Sequence, residues 1–275
     1  MDAAKTRRVA LLVEYDGTNY RGLQRQAGDG DTIQSCIEKA CATLGSAEAR
    51  FIACGRTDAG VHALGQVIAV DLPIKVEPRR IHLALNHLLP NDIKVRRAEP
   101  CRDDFNPRLD AIGRAYLYRI SFRRDVSPLL RNFVAWKNAL VNPELLSAAA
   151  ECFKGKWELR EWRASSCQAV RTFLTIDEAA AIPPDASDPM RAHWSFRFRA
   201  RSFLHHQVRF MVGGIAAVGN GKLSLEDLSA ALAEGKRPHA AGVEPANGLC
   251  LMSAEYPPDK NPFPADNLSG NAPVS

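Results

Sequence analysis

Residues 50–72 read RFIACGRTDAGVHALGQVIAVDL, two apolar runs around a glycine-rich polar stretch. Arg50 to Cys54 and Gln66 to Leu72 have the β-branched content of strands. Gly55 to Gly65 between them reads as a hairpin loop held at the surface. Upstream, Val9 to Tyr15 reads as a strand. Asp31 is the expected N-cap of a following helix, with Gln34 three positions on, and Ile33, Ile37, Ala40, Cys41 and Leu44 share its buried face up to Gly45. Downstream, Pro78 can open a second helix whose stripe is Ile81, Ala84, Leu85 and Leu88, and Asp92 to Ala98 returns as a strand. The order β-α-β-β-α-β predicts a ferredoxin-like split βαβ unit, an antiparallel sheet with both helices on one face.

The second half repeats this order loosely. Arg114 to Phe122 reads as a strand and Asn142-Pro143 as a helix start. Strands are expected near Arg171 to Ile176 and His193 to Ala200, a helix from Phe203, another opened by Ser224, and a last strand around Leu249 to Tyr256. The expected fold class is α+β, with two ferredoxin-like α/β subdomains whose antiparallel sheets form a central cleft. The expected boundaries are 1–105 for an N-terminal domain carrying the hairpin loop, 106–256 for a C-terminal α+β domain, and 257–275 for a flexible tail containing five prolines.

Composition sets the limits. With 275 residues, 46% hydrophobic and 24% charged, the chain has the make-up of an ordinary globular protein. No apolar run approaches the ~18 residues that cross a bilayer, and MDAAKTRR has no signal-peptide core, so a cytoplasmic location is expected. Seven scattered cysteines without a C-x-x-C pair argue for reduced, mostly buried thiols rather than disulfides or zinc. The net charge of +5 is unevenly spread. Lys94 to Arg131 holds ten basic against five acidic residues, and Pro189 to Leu225 holds six basic and no acidic ones. Such asymmetry suits a polyanionic partner, although solvated basic faces produce it too.

The densest chemical signal is GRTDAGVH, residues 55–62, where Asp58 sits between glycines and two positions from Arg56. A carboxylate can act as a covalent nucleophile at a glycosidic carbon, and a guanidinium can hold it in orientation. The ordinary alternative is an aspartate capping its own turn. In FLHHQVRFMV, residues 203–212, Arg209 lies amid apolar neighbours, which calls for an anionic partner, and Asp58 is the candidate. His205-His206 invites a metal reading, but adjacent helical positions point about 100° apart, so none is expected. Asp29-Gly30-Asp31 fails as a calcium loop because Ala40 falls where a bidentate glutamate is required. Between His193 and Arg201, Trp194, Phe196 and Phe198 alternate with Arg197, Arg199 and Arg201, a face suited to phosphates or to solvent. One of Tyr116 and Tyr118 can stack on an unstacked base, a core tyrosine being the alternative.

Taken together these segments resemble the TruA family of tRNA pseudouridine synthases over about Val9 to Tyr256. The matching residues are Glu14-Tyr15-Asp16-Gly17-Thr18 with Gly22 and Gln24-Arg25-Gln26, GRTDAGVHA, Asn86 with Leu89-Pro90, Asp104-Phe105-Asn106 with Arg108, Arg114 with Tyr116 and Tyr118, Cys167-Gln168, HHQVRFMVG, and Gly248-Leu249. The resemblance implies isomerisation of uridine to pseudouridine at positions 38 to 40 of the tRNA anticodon arm, by a homodimer without cofactor, metal or membrane. It implies catalytic roles for Asp58, for Tyr116 packed on the target base, and for Arg209 paired with the carboxylate. Substrate contacts are expected at Tyr116, Arg56, Phe105, Asn106, Arg108, Cys167, Gln168, Arg171, Arg199 and Arg201, with the cleft binding RNA. Leu23 stands where the family has tryptophan, Pro107 where it has a small residue, and the loop after Gln168 lacks the family's Ser-Pro. Two other readings compete: a catalytically silent RNA-binding protein, and a metal-dependent hydrolase using His62, His205, His206 and Asp58. Within the enzyme class the alternative is the same reaction at other RNA uridines.

Overall fold

The computed structural model describes residues 6–26, 30–46, 50–75, 77–123 and 126–263. The tail beyond 263 and Asp29 of the rejected calcium motif lie outside the described residues. Contacts divide the chain into two compact units. One runs to Thr57, resumes over Ala63–Ile112 and again from Ser253; the other is Asp58–His62 with Gly113–Met252. The architecture is mixed α and β, with five α-helices among the described residues, none of them long and apolar enough to cross a membrane.

The first unit follows the expected order: β1 (Thr6–Tyr15), α1 (Ile33–Thr43), β2 (Ile52–Ala53), β3 (His62–Pro73, all but His62 in this unit), α2 (Pro78–Leu88) and β4 (Ile93–Pro100). The strands lie β4-β1-β3, with β2 on the far side of β3, and every pairing is antiparallel. In register, Val9 faces Val70 and Leu11 faces Ile68. Val9, Leu11, Val13, Ile68 and Leu72 are fully buried, and Ile33, Ile37, Ile81 and Leu85 from the helices join them in the core.

Two helix details differ from expectation. The cap of α1 is Thr32, not Asp31. Its hydroxyl accepts from the Ser35 amide at 3.1 Å while the Ser35 hydroxyl accepts from the Thr32 amide at 3.0 Å, a reciprocal box one residue further along. Asp31 instead pairs with Lys39. On α2, Leu88 is 39% exposed and Leu89 is buried. Pro90 forces the residue before it out of helical geometry, and Leu89, extended at ψ 149°, turns inward in place of Leu88. Asn86 then ties α2 to β4, its side chain both accepting from the Val95 amide at 2.8 Å and donating to the Val95 carbonyl at 2.9 Å.

The second unit contains β5 (Gly113–Ser121), β6 (Ala135–Trp136), α3 (Pro143–Glu151), β7 (Gly155–Glu158), β8 (Phe173–Ile182), β9 (Trp194–Ala200), α4 (Gln207–Gly219), α5 (Leu225–Ala233) and β10 (Leu249–Glu255, its last three residues in the first unit). The order is β10-β5-β9-β8-β7, with the two-residue β6 parallel to β5. Asn142 caps α3 and Ser224 caps α5, as their sequence positions predict. The core is built from Phe196 and Phe198 of β9, Met211, Val212 and Ile215 of α4, and Phe153 and Trp162, whose rings meet edge to face at 5.0 Å. All seven cysteines are free, and Cys36, Cys41, Cys54 and Cys250 are buried.

Helix α4 begins at Gln207, four residues later than the apolar pattern from Phe203 predicts. His206 is the cause. At φ 62° it is the one non-glycine residue in left-handed geometry among the described residues, which breaks the helical run. Gln207, fully buried, secures the turn by accepting from the Leu204 amide at 2.8 Å through its side chain.

Candidate active site

The hairpin loop is pinned from its start. The Gln66 amide donates to the Gly55 carbonyl at 2.9 Å, the Tyr15 and Thr57 hydroxyls lie 2.7 Å apart, and the Leu23 amide donates to the Thr57 carbonyl at 3.0 Å. Residues 58–62 pack within the second unit. The Val61 amide closes a turn on the Asp58 carbonyl at 3.1 Å, and Gly60 supplies the positive φ of 77°. Asp58 therefore spends its backbone on the turn and leaves its side chain for other partners.

Those partners come from the segment leading into α4. His205 Nε2 stands 3.0 Å from Asp58 Oδ1; His206 Nε2 and Arg209 Nη1 stand 3.3 and 3.5 Å from Oδ2. The left-handed His206 makes this possible, because it brings both imidazole rings to one side, their centroids 4.1 Å apart. Adjacent side chains diverge by about 100° only within a helix, and the helix has not yet begun at 205 and 206. Strain in a non-glycine residue of this kind is commonly kept where function requires it.

Arg209 is fixed from behind. Its Nε donates to the Glu244 carbonyl at 2.7 Å, the Glu244 amide returns a bond to the Arg209 carbonyl at 3.3 Å, and the buried Glu244 carboxylate is paired with Lys137. Burial pushes the His206 imidazole pKa below its ordinary value, with Arg209 and His205 acting in the same direction and Asp58 opposing. His205 Nδ1 lies 3.4 Å from Ser166 Oγ. The neighbouring Cys167 thiol is held below its usual range: hydrogen bonds from the Ala169 and His205 backbone and the nearby Arg163 outweigh the opposing effect of burial.

The other expected site residues are placed as follows. Tyr116 is buried on β5, with its ring edge to face against Phe203 at 5.2 Å. Tyr118 is a core tyrosine whose hydroxyl donates to the Pro245 carbonyl at 2.7 Å. Arg56 is exposed; the guanidinium that meets Asp58 is that of Arg209. Phe105 is buried against Tyr256, and Asn106 caps a turn by accepting from the Arg108 and Leu109 amides, leaving Arg108 exposed. Gln168 and Arg171 are exposed, and Cys167 is half-buried. Along β9, Arg197 and Arg199 alternate with buried aromatics and pair with Glu178 and Asp177 of β8 at 3.8 and 3.0 Å, and Arg201 is exposed just beyond the strand. His62 points its Nε2 at the Asn132 and Asn247 carbonyls, 2.8 and 3.2 Å away, and lies against Phe133. Those two acceptors require a proton on Nε2, so this nitrogen serves neither as a base nor as a ligand.

The pairing of Arg209 with Asp58 is the one the sequence suggests, whereas the histidine contacts to the carboxylate and the backbone brace at Glu244 are not. A carboxylate set between one guanidinium and two imidazoles, partly open to solvent, has the chemistry of a side-chain nucleophile or base.

Comparison with known proteins gives the family of the chain. The sequence profile of the tRNA pseudouridine synthases matches residues 11–110 and 149–257. A tRNA pseudouridine synthase A from Paramagnetospirillum magneticum is 40% identical over 252 residues, covering 90% of this chain and 95% of its own. Proteins of the same name from Rhodopseudomonas palustris and Thermus thermophilus are 41% and 38% identical, covering 90% and 92% of this chain and 99% and 98% of theirs. The chain belongs to the tRNA pseudouridine synthase family.

Proposed function

We propose that the protein isomerises uridine to pseudouridine in tRNA, at positions 38 to 40 of the anticodon arm, with Asp58 as the nucleophile. The observation that carries the reading is the Asp58 carboxylate held by Arg209, His205 and His206 in a chain of this family. In the reaction the bond from uracil N1 to the ribose C1′ breaks, the base rotates, and a bond forms from C5 to C1′. C5 loses its proton and N1 gains one, so atoms balance without an oxidant, a reductant or a second substrate. Asp58 adds to either C1′ or C6 and is released when the rearrangement ends.

Each group has a task in this scheme. Arg209, braced through Nε, sets the angle of the carboxylate; preorganisation of this kind lowers the reorganisation needed at the moment of reaction. His205 and His206 hold their Nε2 atoms 3.0 and 3.3 Å from the carboxylate oxygens. Tyr116 presents a rigid ring, supported by Phe203, for the target base, which must leave its stack at a cost of a few kcal/mol. Arg56 and Arg108 of the first unit and Arg171, Arg199 and Arg201 of the second supply positive charge for RNA, and Phe105, Asn106, Cys167 and Gln168 are the other substrate contacts of this reading. The reading includes a cytoplasmic homodimer that works without a cofactor, and a ferredoxin-like arrangement of both units. The matching orders β4-β1-β3-β2 and β10-β5-β9-β8 support the latter.

The test is substrate mapping. Transcripts of one tRNA with uridine at 38, 39 or 40 should gain pseudouridine there, and replacing those uridines by cytidine should abolish product. Pseudouridine formed only elsewhere would overturn the positional assignment.

A further inference from the structure

We propose that Asp58, His205 and His206 form a binding site for a borderline divalent cation of the Zn²⁺ class, and that an ion bound there blocks the nucleophile. One ligand atom from each residue falls within 4.8 Å of the others. The imidazole nitrogens face different carboxylate oxygens, His205 Nε2 at 3.0 Å from Oδ1 and His206 Nε2 at 3.3 Å from Oδ2, so a rotation of the carboxylate brings one oxygen and both nitrogens to the metal–ligand distance of about 2.0–2.1 Å that zinc requires. Two imidazole nitrogens and one carboxylate oxygen are the donor set found in zinc sites that keep a fourth position for water. The side chain of His205 is 41% exposed, which gives the ion an entry path and the fourth position a solvent.

Two further features bear on the site. Ser166 Oγ stands 3.4 Å from His205 Nδ1. With the ion on Nε2, the ring proton resides on Nδ1 and the serine oxygen accepts it, which is the outer hydrogen bond that fixes the tautomer of metal-bound histidines. Arg209 opposes the ion. Its guanidinium, anchored to the Glu244 carbonyl, stays near Oδ2 and holds the affinity below that of structural zinc sites. The ion is thus an inhibitor rather than a resident cofactor. Its lone-pair demand on the carboxylate leaves Asp58 unable to attack carbon, with no change in oxidation state and no bond made to substrate.

The inhibitory consequence rests on the nucleophile assignment; the binding does not, and the two are read separately. Binding is measured by titrating the full chain with ZnCl₂ in competition with a chromophoric chelator. The wild-type protein should take up zinc competitively at this site. His205→Gln and His206→Gln should each weaken that uptake more than about tenfold and Ser166→Ala by about tenfold, while His239→Gln, on an exposed loop, leaves it unchanged. Zinc affinity equal to wild type in both His205→Gln and His206→Gln overturns the site, as does an absence of competitive uptake by the wild type. Ser166→Ala lies outside the ligand set, so its result stands even where a ligand variant folds poorly. Activity is then followed at increasing zinc, with chelator added back. Reversible loss that tracks occupancy supports the blocked nucleophile, and full turnover by the zinc-loaded protein overturns the inhibitory part while leaving the site intact.

Discussion

Replacing Gly213 with alanine adds one carbon at the tightest point of α4. A Cβ built there lies 1.8 Å from the Gly242 carbonyl oxygen and 2.9 Å from its carbon. Ordinary carbon–oxygen contact is about 3.3 Å or more, so the 242 backbone must retreat by about 1.5 Å. Overpacking of this kind costs about 1–3 kcal/mol, and the better helix propensity of alanine returns about 1 kcal/mol. The net loss at this backbone-against-backbone contact is at most about 2 kcal/mol, which lowers the thermal midpoint by up to roughly 4–8 °C for a protein of this size. Function should suffer as well. The displaced strand of chain runs on to Glu244, whose carbonyl holds Arg209 Nε at 2.7 Å. Retreat carries the guanidinium from Asp58, and a misplacement on the order of 1 Å can cost about 100-fold in rate. Circular-dichroism melts and single-turnover assays on tRNA measure both effects. A variant at least as stable as the parent, with full turnover, would refute the reasoning.

Three other outcomes are expected. Arg209→Ala should lower turnover by about 100-fold while tRNA affinity stays within a few fold, since the guanidinium is engaged with Asp58 and Glu244 rather than displayed to solvent; filter binding beside kinetics separates the two. Tyr116→Phe keeps the ring against Phe203 and should retain most activity if stacking is its role, whereas complete loss would assign the hydroxyl to proton transfer. His193, 8% exposed and without a partner for Nδ1, has its pKa pushed down to about 4, chiefly by burial and further by Arg119 and Arg191. The unfolded chain takes up a proton below about 6.5 and the folded chain does not until about 4. Stability should therefore fall across that window as pH drops, by at most about 3 kcal/mol. Urea midpoints for His193→Leu should show a flatter profile there, and an unchanged slope would count against it.

The Asp58 carboxylate was legible as a candidate because GRTDAGVH carries its own signals: glycines where the backbone turns, and a charged side chain with no apolar reason to be there. Arg209 stood out for a similar reason, as a cation inside an apolar stripe. The order of elements in the first unit was readable because its strands and helices have clean periods. What surrounds Asp58 was less so. Left-handed backbone at a histidine is only weakly marked in the sequence, since histidine is enriched at such positions yet adopts ordinary geometry far more often. The pattern Phe203-Leu204-His205-His206-Gln207 continues the helical stripe without a break. The result was a helix begun four residues early and a histidine pair judged divergent. The brace at Glu244 is a backbone carbonyl, which no side-chain pattern reveals. Asp31 and Thr32 are both good capping residues, and only the reach of Ser35 decides between them. Strands β6 and β7, two and four residues long, are too short to show a period.

The central claim is that Asp58 is the nucleophile of a uridine isomerase, and release of tritium from tRNA bearing 5-tritiated uridine tests it most directly, because C5 loses its hydrogen only when the new bond to C1′ forms. Wild-type protein should release tritium, and Asp58→Asn should release none while binding tRNA within a few fold of wild type. Substantial release by Asp58→Asn would contradict the assignment.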